Sequence, residues 1–149
     1  MGKFDEAADF QQKRANRAGC DLTEVENALV SLLAEELNIT PNEDIFAGLL
    51  PPSIATGIGV EISGDWPGPD LRLRHYYAKC EGRDSDHERL RRRMSELAGY
   101  LPLRRCVSGG ITFTAVFMEG TLHFDYTVHA GIKMATASLD IELHVEVNP

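Results

Sequence analysis

Residues 139–147 read Leu-Asp-Ile-Glu-Leu-His-Val-Glu-Val, with apolar and polar side chains in unbroken alternation. A period of two belongs to a strand with one face on a core and the other toward water. Leu139, Ile141, Leu143, Val145 and Val147 make the inward row. Asp140, Glu142, His144 and Glu146 make the outward row. Upstream, Leu122 to Ala130 sets Leu122, Phe124, Tyr126 and Val128 against His123, Asp125, Thr127 and His129. Before it, Ile111 to Met118 sets Ile111, Phe113, Ala115 and Phe117 against Thr112, Thr114, Val116 and Met118. Glu119-Gly120 predicts a tight turn between these two segments, and Gly131 to Ala135 predicts a connection to the last strand.

The middle of the chain changes period. Leu71 to Cys80 alternates and predicts a strand with Leu71, Leu73, His75 and Tyr77 on one side and Arg72, Arg74 and Tyr76 on the other. Gly82 to Asp86 predicts a break. Ser85 and Glu88 have capping-box spacing for a helix over about residues 86–98. Leu90, Met94, Leu97 and Ala98 form its apolar stripe, and Arg89, Arg91, Arg92 and Arg93 its opposite face. Further back, Asp21 with Glu24 opens a helix over 21–37 whose stripe is Leu22, Val25, Leu29, Leu32, Leu33 and Leu37. Asn38 and Pro41 end it. Asp44 to Gly48 predicts a short strand stopped by Pro51-Pro52. Ile54 to Ile62 predicts a strand whose Gly57 and Gly59 mark a bulge or a close backbone approach. Gly64 to Pro69 predicts a loop, where Trp66 either packs back on the domain or sits at an interface.

These elements predict an α+β domain over residues 21–149, with a mixed, largely antiparallel sheet and two helices packed on one face. Residues 1–20 predict an N-terminal arm. Phe4, Ala7, Ala8 and Phe10 would line a short helix in it, ended by Gly19, and a neighbouring subunit would hold it in place.

Composition narrows the function. The chain has 149 residues and a formal net charge of −8, which argues against a general DNA-binding surface. The charge is segregated: residues 1–71 hold 13 acids and 4 bases, while residues 72–105 hold 5 acids and 10 bases. A basic middle between acidic ends suits self-association through charge complementarity. Cys20, Cys80 and Cys106 are odd in number and lack metal-ligand spacing, so neither a disulfide framework nor a zinc site is expected. The start, MGKFDEAADF, has no apolar run and predicts no signal peptide, and no stretch is long and apolar enough to predict a membrane span. A reducing cytoplasm is the expected site of synthesis. Gly57-x-Gly59 lacks the third glycine and the Lys-Ser/Thr of a phosphate loop. No G-x-S-x-G elbow occurs. His123, Asp125, His129, Asp140, Glu142, His144 and Glu146 share a polar sheet face, a pattern that half-exposed strands carry without chemistry. No catalytic residue, metal ligand or cofactor is therefore expected. The candidate functional residues are interface residues: Trp66, Arg72, Arg74, Arg89, Arg91, Arg92 and Arg93, with Phe4 and Phe10 in the arm.

The order of segments resembles the tail-terminator family of tailed bacteriophages, also called minor capsid or tail-completion proteins. The resemblance spans about residues 21–147. It rests on DLTEVENALVSLLAEEL, on IFAGLLPP, on IATGIGVEISG, on LRLRHYYAKCEGRDSDHERLRRRMSEL and on the closing β segment. It implies a non-enzymatic virion protein forming a ring, usually hexameric, at the head-proximal end of the tail. Such a ring would cap tail-tube polymerisation, contact the head–tail connector and let DNA pass through its lumen, with no membrane partner. Two other readings stand beside it: a small cytoplasmic binding or regulatory domain that forms a dimer, and a metal-dependent hydrolase using the His/Asp/Glu sheet face.

Overall fold

Asp21 opens the first helix as the sequence predicts: its carboxylate accepts the Thr23 N–H at 2.9 Å. Helix α1 runs Leu22–Leu37 and ends where Asn38 turns left-handed. The computed structural model describes residues 21–66 and 73–146. The arm with Phe4 and Phe10, together with Arg72, lies outside them. The remaining elements are β1 (Ile45–Ala47), β2 (Gly57–Trp66), β3 (Leu73–Asp84), α2 (His87–Tyr100), β4 (Leu103–Ser108), β5 (Ile111–His129) and β6 (Ile132–Glu146).

The fold is α+β, as the patterns require. One six-stranded sheet has the order β1-β2-β3-β6-β5-β4. β1 runs parallel to β2, and all other pairs are antiparallel. The centre is β3 against β6, where Tyr76, Ala78 and Cys80 lie opposite Leu143, Ile141 and Leu139. These side chains are buried in one cluster with Val25, Leu29 and Leu33 of α1 and with Leu90, Met94 and Leu97 of α2.

Bulges move the boundaries that alternation alone sets. In β5 the register slips by one residue between Phe113 and Ala115. One extra residue turns every later side chain to the opposite face. Ile111 and Phe113 are buried, but the next core residue is Val116, from the row expected outside. The turn expected at Glu119-Gly120 is a second irregularity, with β5 continuing unbroken to His129. The chain reverses at Ala130-Gly131, both left-handed, so β6 already begins at Ile132. Gly64 to Trp66 belong to β2, paired with Tyr77, Tyr76 and His75, rather than to a loop. A slip between Ile62 and Gly64 bends β2 there, and Glu26 of α1 accepts the Ile62 N–H at 2.8 Å.

The two sides of β3 separate as the alternation predicts, and the structure shows which one is inward. Tyr76, Ala78 and Cys80 face the core, and His75 and Tyr77 face away. Small residues make room for α2, which lays Leu90 and Met94 onto Gly82. A Cβ there would sit 2.8 Å from Leu90 Cδ1. β3 also runs to Asp84 through the expected break, and Asp86, not Ser85, caps α2 by accepting the Arg89 N–H at 3.1 Å. Strand β4, residues 103–108, has no alternating signature and is missed by sequence reading. At Gly59 the close approach is real: a Cβ would stand 2.6 Å from the Leu50 backbone N and 2.9 Å from the Gly48 carbonyl oxygen.

Candidate functional site

The outward face of the sheet centre carries a compact group of titratable side chains. His75 and Tyr77 on β3 stand opposite His144 and Glu142 on β6. The register alone brings all four onto one patch, because cross-strand neighbours stand about 5 Å apart. The His75 and His144 rings stack at 3.9 Å and 14°. Nε2 of His144 lies 3.3 Å from Oε2 of Glu142. The ligand-capable atoms of His75, Glu142 and His144 all lie within 4.8 Å of one another. Phe117 on β5 packs edge-on against His144 at 5.4 Å. Burial lowers the His75 imidazole from its ordinary value; the nearby His144 adds to this and Glu142 opposes it. The Tyr77 hydroxyl is raised, first by its hydrogen bond to Glu142.

Sequence reading places His144 and Glu142 on this face but assigns His75 no role and groups His144 with His123 and His129. The structure separates them. His123 pairs with Ser138 and His129 with Ile132, further along the β5–β6 ladder. His123 and Asp125 instead line a shallow cleft of about 690 Å³ with Leu49, Lys79, Arg83 and Phe124. What could have flagged His75 is its pairing partner, and pairing is not visible in a single strand. Cys80 is buried in the core and its thiol is pushed up to about 12, first by that burial and then by Asp140. It is not a thiolate at neutral pH.

The expected interface arginines divide. Arg89 grips the buried Asp84 through two bonds of 2.6 Å, from Nε and Nη2. Asp84 also accepts the Asp86 N–H at 2.8 Å. Burial alone would raise the Asp84 carboxyl. The Arg89 and Asp86 hydrogen bonds and the charges of Arg89 and Arg93 outweigh it and hold the carboxyl below its ordinary range. Arg89 thus ties α2 to the end of β3. Arg91 lies over the Phe124 ring at 5.3 Å, and Arg92 is exposed. Arg74 bonds Asp65 on β2 at 2.6 Å. Trp66 closes β2 opposite His75.

A second surface lies along β5. Strand β4 pairs with β5 only as far as Val116, so among the described residues the β5 edge from Phe117 to His129 has no strand beside it. The ladder beyond the second irregularity carries Phe124, Tyr126, Val128 and Ile132, with Val128 72% and Ile132 59% exposed. Lys133 stands over the Tyr126 ring at 4.5 Å. No described helix is long and apolar enough to cross a membrane.

Among the described residues, the fold and these surfaces define an α+β domain with a mixed sheet, a long strand edge without a partner strand and a His-carboxylate cluster at the sheet centre. No family model matches the chain, and no curated protein matches it. Among solved structures, one similar chain, of a protein that carries a sequence number in place of a descriptive name, is 16% identical. The match covers 85% of this chain and 93% of that one at a TM-score of 0.47. A likeness of that size carries no function across.

Proposed function

We propose that the chain is a structural virion protein, a tail-terminator-like subunit. It forms a ring, hexameric by the family resemblance, at the head-proximal end of a phage tail, caps the tail tube and contacts the head–tail connector. The observation that best supports this reading is that, among the described residues, no strand pairs with the β5 edge from Phe117 to His129, next to the exposed Val128 and Ile132. An unpaired edge of this length invites strand addition, and exposed apolar side chains beside it mark a contact surface. In a ring, each copy would cover its neighbour's edge and leave none for further tube subunits. The acidic net charge of −8 suits a lumen through which DNA passes without phosphate contacts. Assembly would take place in the host cytoplasm and end in the virion tail, without a cofactor.

The test is oligomer mass by light scattering together with negative-stain imaging. A six-fold ring is expected. A monodisperse dimer would instead favour the small regulatory domain, and a monomer at every concentration would remove the assembly reading. The charged face of α2 is tested with Arg92→Glu, which should weaken association and change its salt dependence. Arg89 is unsuitable for that purpose, because a glutamate there would face Asp84 and test folding instead. A second reading, a metal-dependent hydrolase, is favoured by the His75–Glu142–His144 cluster. Turnover of a chromogenic phosphodiester by metal-loaded protein would separate it from the first.

A further inference from the structure

The geometry points to a binding site for one divalent transition-metal ion of the zinc, cobalt or nickel type, held by His75, Glu142 and His144. This site stands apart from the ring-assembly reading and does not depend on it.

The three side chains come from two central, adjacent strands, whose register fixes where they start. Their ligand atoms already lie within 4.8 Å of one another. Around a tetrahedral ion with bonds of about 2.0–2.2 Å, ligand atoms stand roughly 3.3 Å apart. His144 Nε2 and Glu142 Oε2 are already 3.3 Å apart. Drawing the His75 nitrogen in to bonding distance would move its ring out of the 14° stack on His144.

The surroundings are those a metal site uses. Tyr77 stands directly opposite Glu142 in the β3–β6 register, and the carboxylate raises its hydroxyl above the ordinary value. Phe117 backs the His144 ring at 5.4 Å, and all three ligands are half-buried. Outer contacts of this kind fix ligand orientation and raise affinity. Two imidazoles and one carboxylate suit borderline transition metals; Mg²⁺ and Ca²⁺ prefer oxygen donors alone. Three protein ligands also leave a coordination position for water or for a donor from outside the chain.

The competing view is a stacked histidine pair with a hydrogen-bonded carboxylate and no ion. Calorimetric titration of untagged full-length protein with ZnCl₂, paired with the visible absorption of the Co²⁺-loaded protein, decides between them. The expected result is one equivalent per chain. Affinity should fall about 100-fold or more in His75→Ala and His144→Ala, and about tenfold in Tyr77→Phe. His123→Ala and His129→Ala should bind as the parent does. Circular dichroism checks each fold, and Glu142→Gln, close in shape to the parent, reads the same site if an alanine variant does not fold. Absence of stoichiometric uptake overturns the proposal. So does uptake that survives both His144→Ala and Glu142→Gln, or uptake lost in His123→Ala. None of these outcomes bears on ring formation, which the light-scattering mass reads separately.

Discussion

From Phe113 to Val116 the β5–β6 ladder is sealed: Phe113 and Val116 lie opposite Val145 and Leu143, and all four are buried. From Phe124 to His129 the same two strands stay paired, and Ala137 and Ala135 of β6 are buried, yet the β5 side chains opposite them, Phe124 and Tyr126, and Val128 beyond, are exposed. Phe124 meets the Arg91 side chain of α2, Tyr126 meets His87 of α2 and Lys133 of β6, and Val128 is mostly exposed. Alternation therefore reports which way side chains point, and not whether anything covers them. The proximal row joins the core cluster with both helices, whereas among the described residues the distal β5 row meets only the first turns of α2 and the neighbouring strand.

This contrast can be broken by substitution. The largest loss is expected from Leu143→Ala, which removes a fully buried side chain from the sheet centre. Chemical denaturation should show a loss of about 3–4 kcal/mol. A loss under about 1 kcal/mol would mean that the proximal half is no better packed than the distal. Close behind comes Gly59→Ala, whose new Cβ would meet the Leu50 backbone N at 2.6 Å. Backbone cannot rotate away, so about 2–3 kcal/mol is expected, read from the same denaturation midpoint.

Asp84→Ala should cost less, about 2 kcal/mol, because it leaves the Asp86 N–H and the Arg89 guanidinium without their acceptor. Its pH signature is distinct. The folded carboxyl titrates below its unfolded value of about 3.9, so its contribution is complete above that pH. It fades as pH falls through the lower folded value. The difference in stability between the parent and Asp84→Ala should therefore be flat at neutral pH and shrink in the acid range below about pH 4. A constant difference down to pH 2 would remove the ion pair as its cause. The smallest effect on the single chain is expected in the distal ladder. Val128→Ser with Ile132→Ser should change monomer stability by no more than about 0.5 kcal/mol, measured by denaturation. The same pair should sharply reduce oligomer mass by light scattering if this surface joins subunits.

The residues themselves determined a good deal. The alternation of residues 139–146, the stripe of α1 and the stripe of α2 name the buried side of three elements, because period alone separates an inward from an outward row. The α+β class follows from them. Gly57 and Gly59 announced a bulge or a close backbone approach, and at Gly59 it is the close approach, since a strand otherwise has little use for a missing side chain. The tertiary structure decided the rest. The one-residue slip at Phe113–Ala115 moved the core row of β5 from odd to even positions, a change that no propensity encodes. The packing of α2 on Gly82 goes with Tyr76 inward and His75 outward, a choice between two sides that the alternation of β3 leaves open. The His75–Glu142–His144 cluster exists only because β3 and β6 are neighbours in that register. Residues 67 positions apart in the chain meet there because side-chain chemistry is written residue by residue, while pairing is settled by the whole sheet.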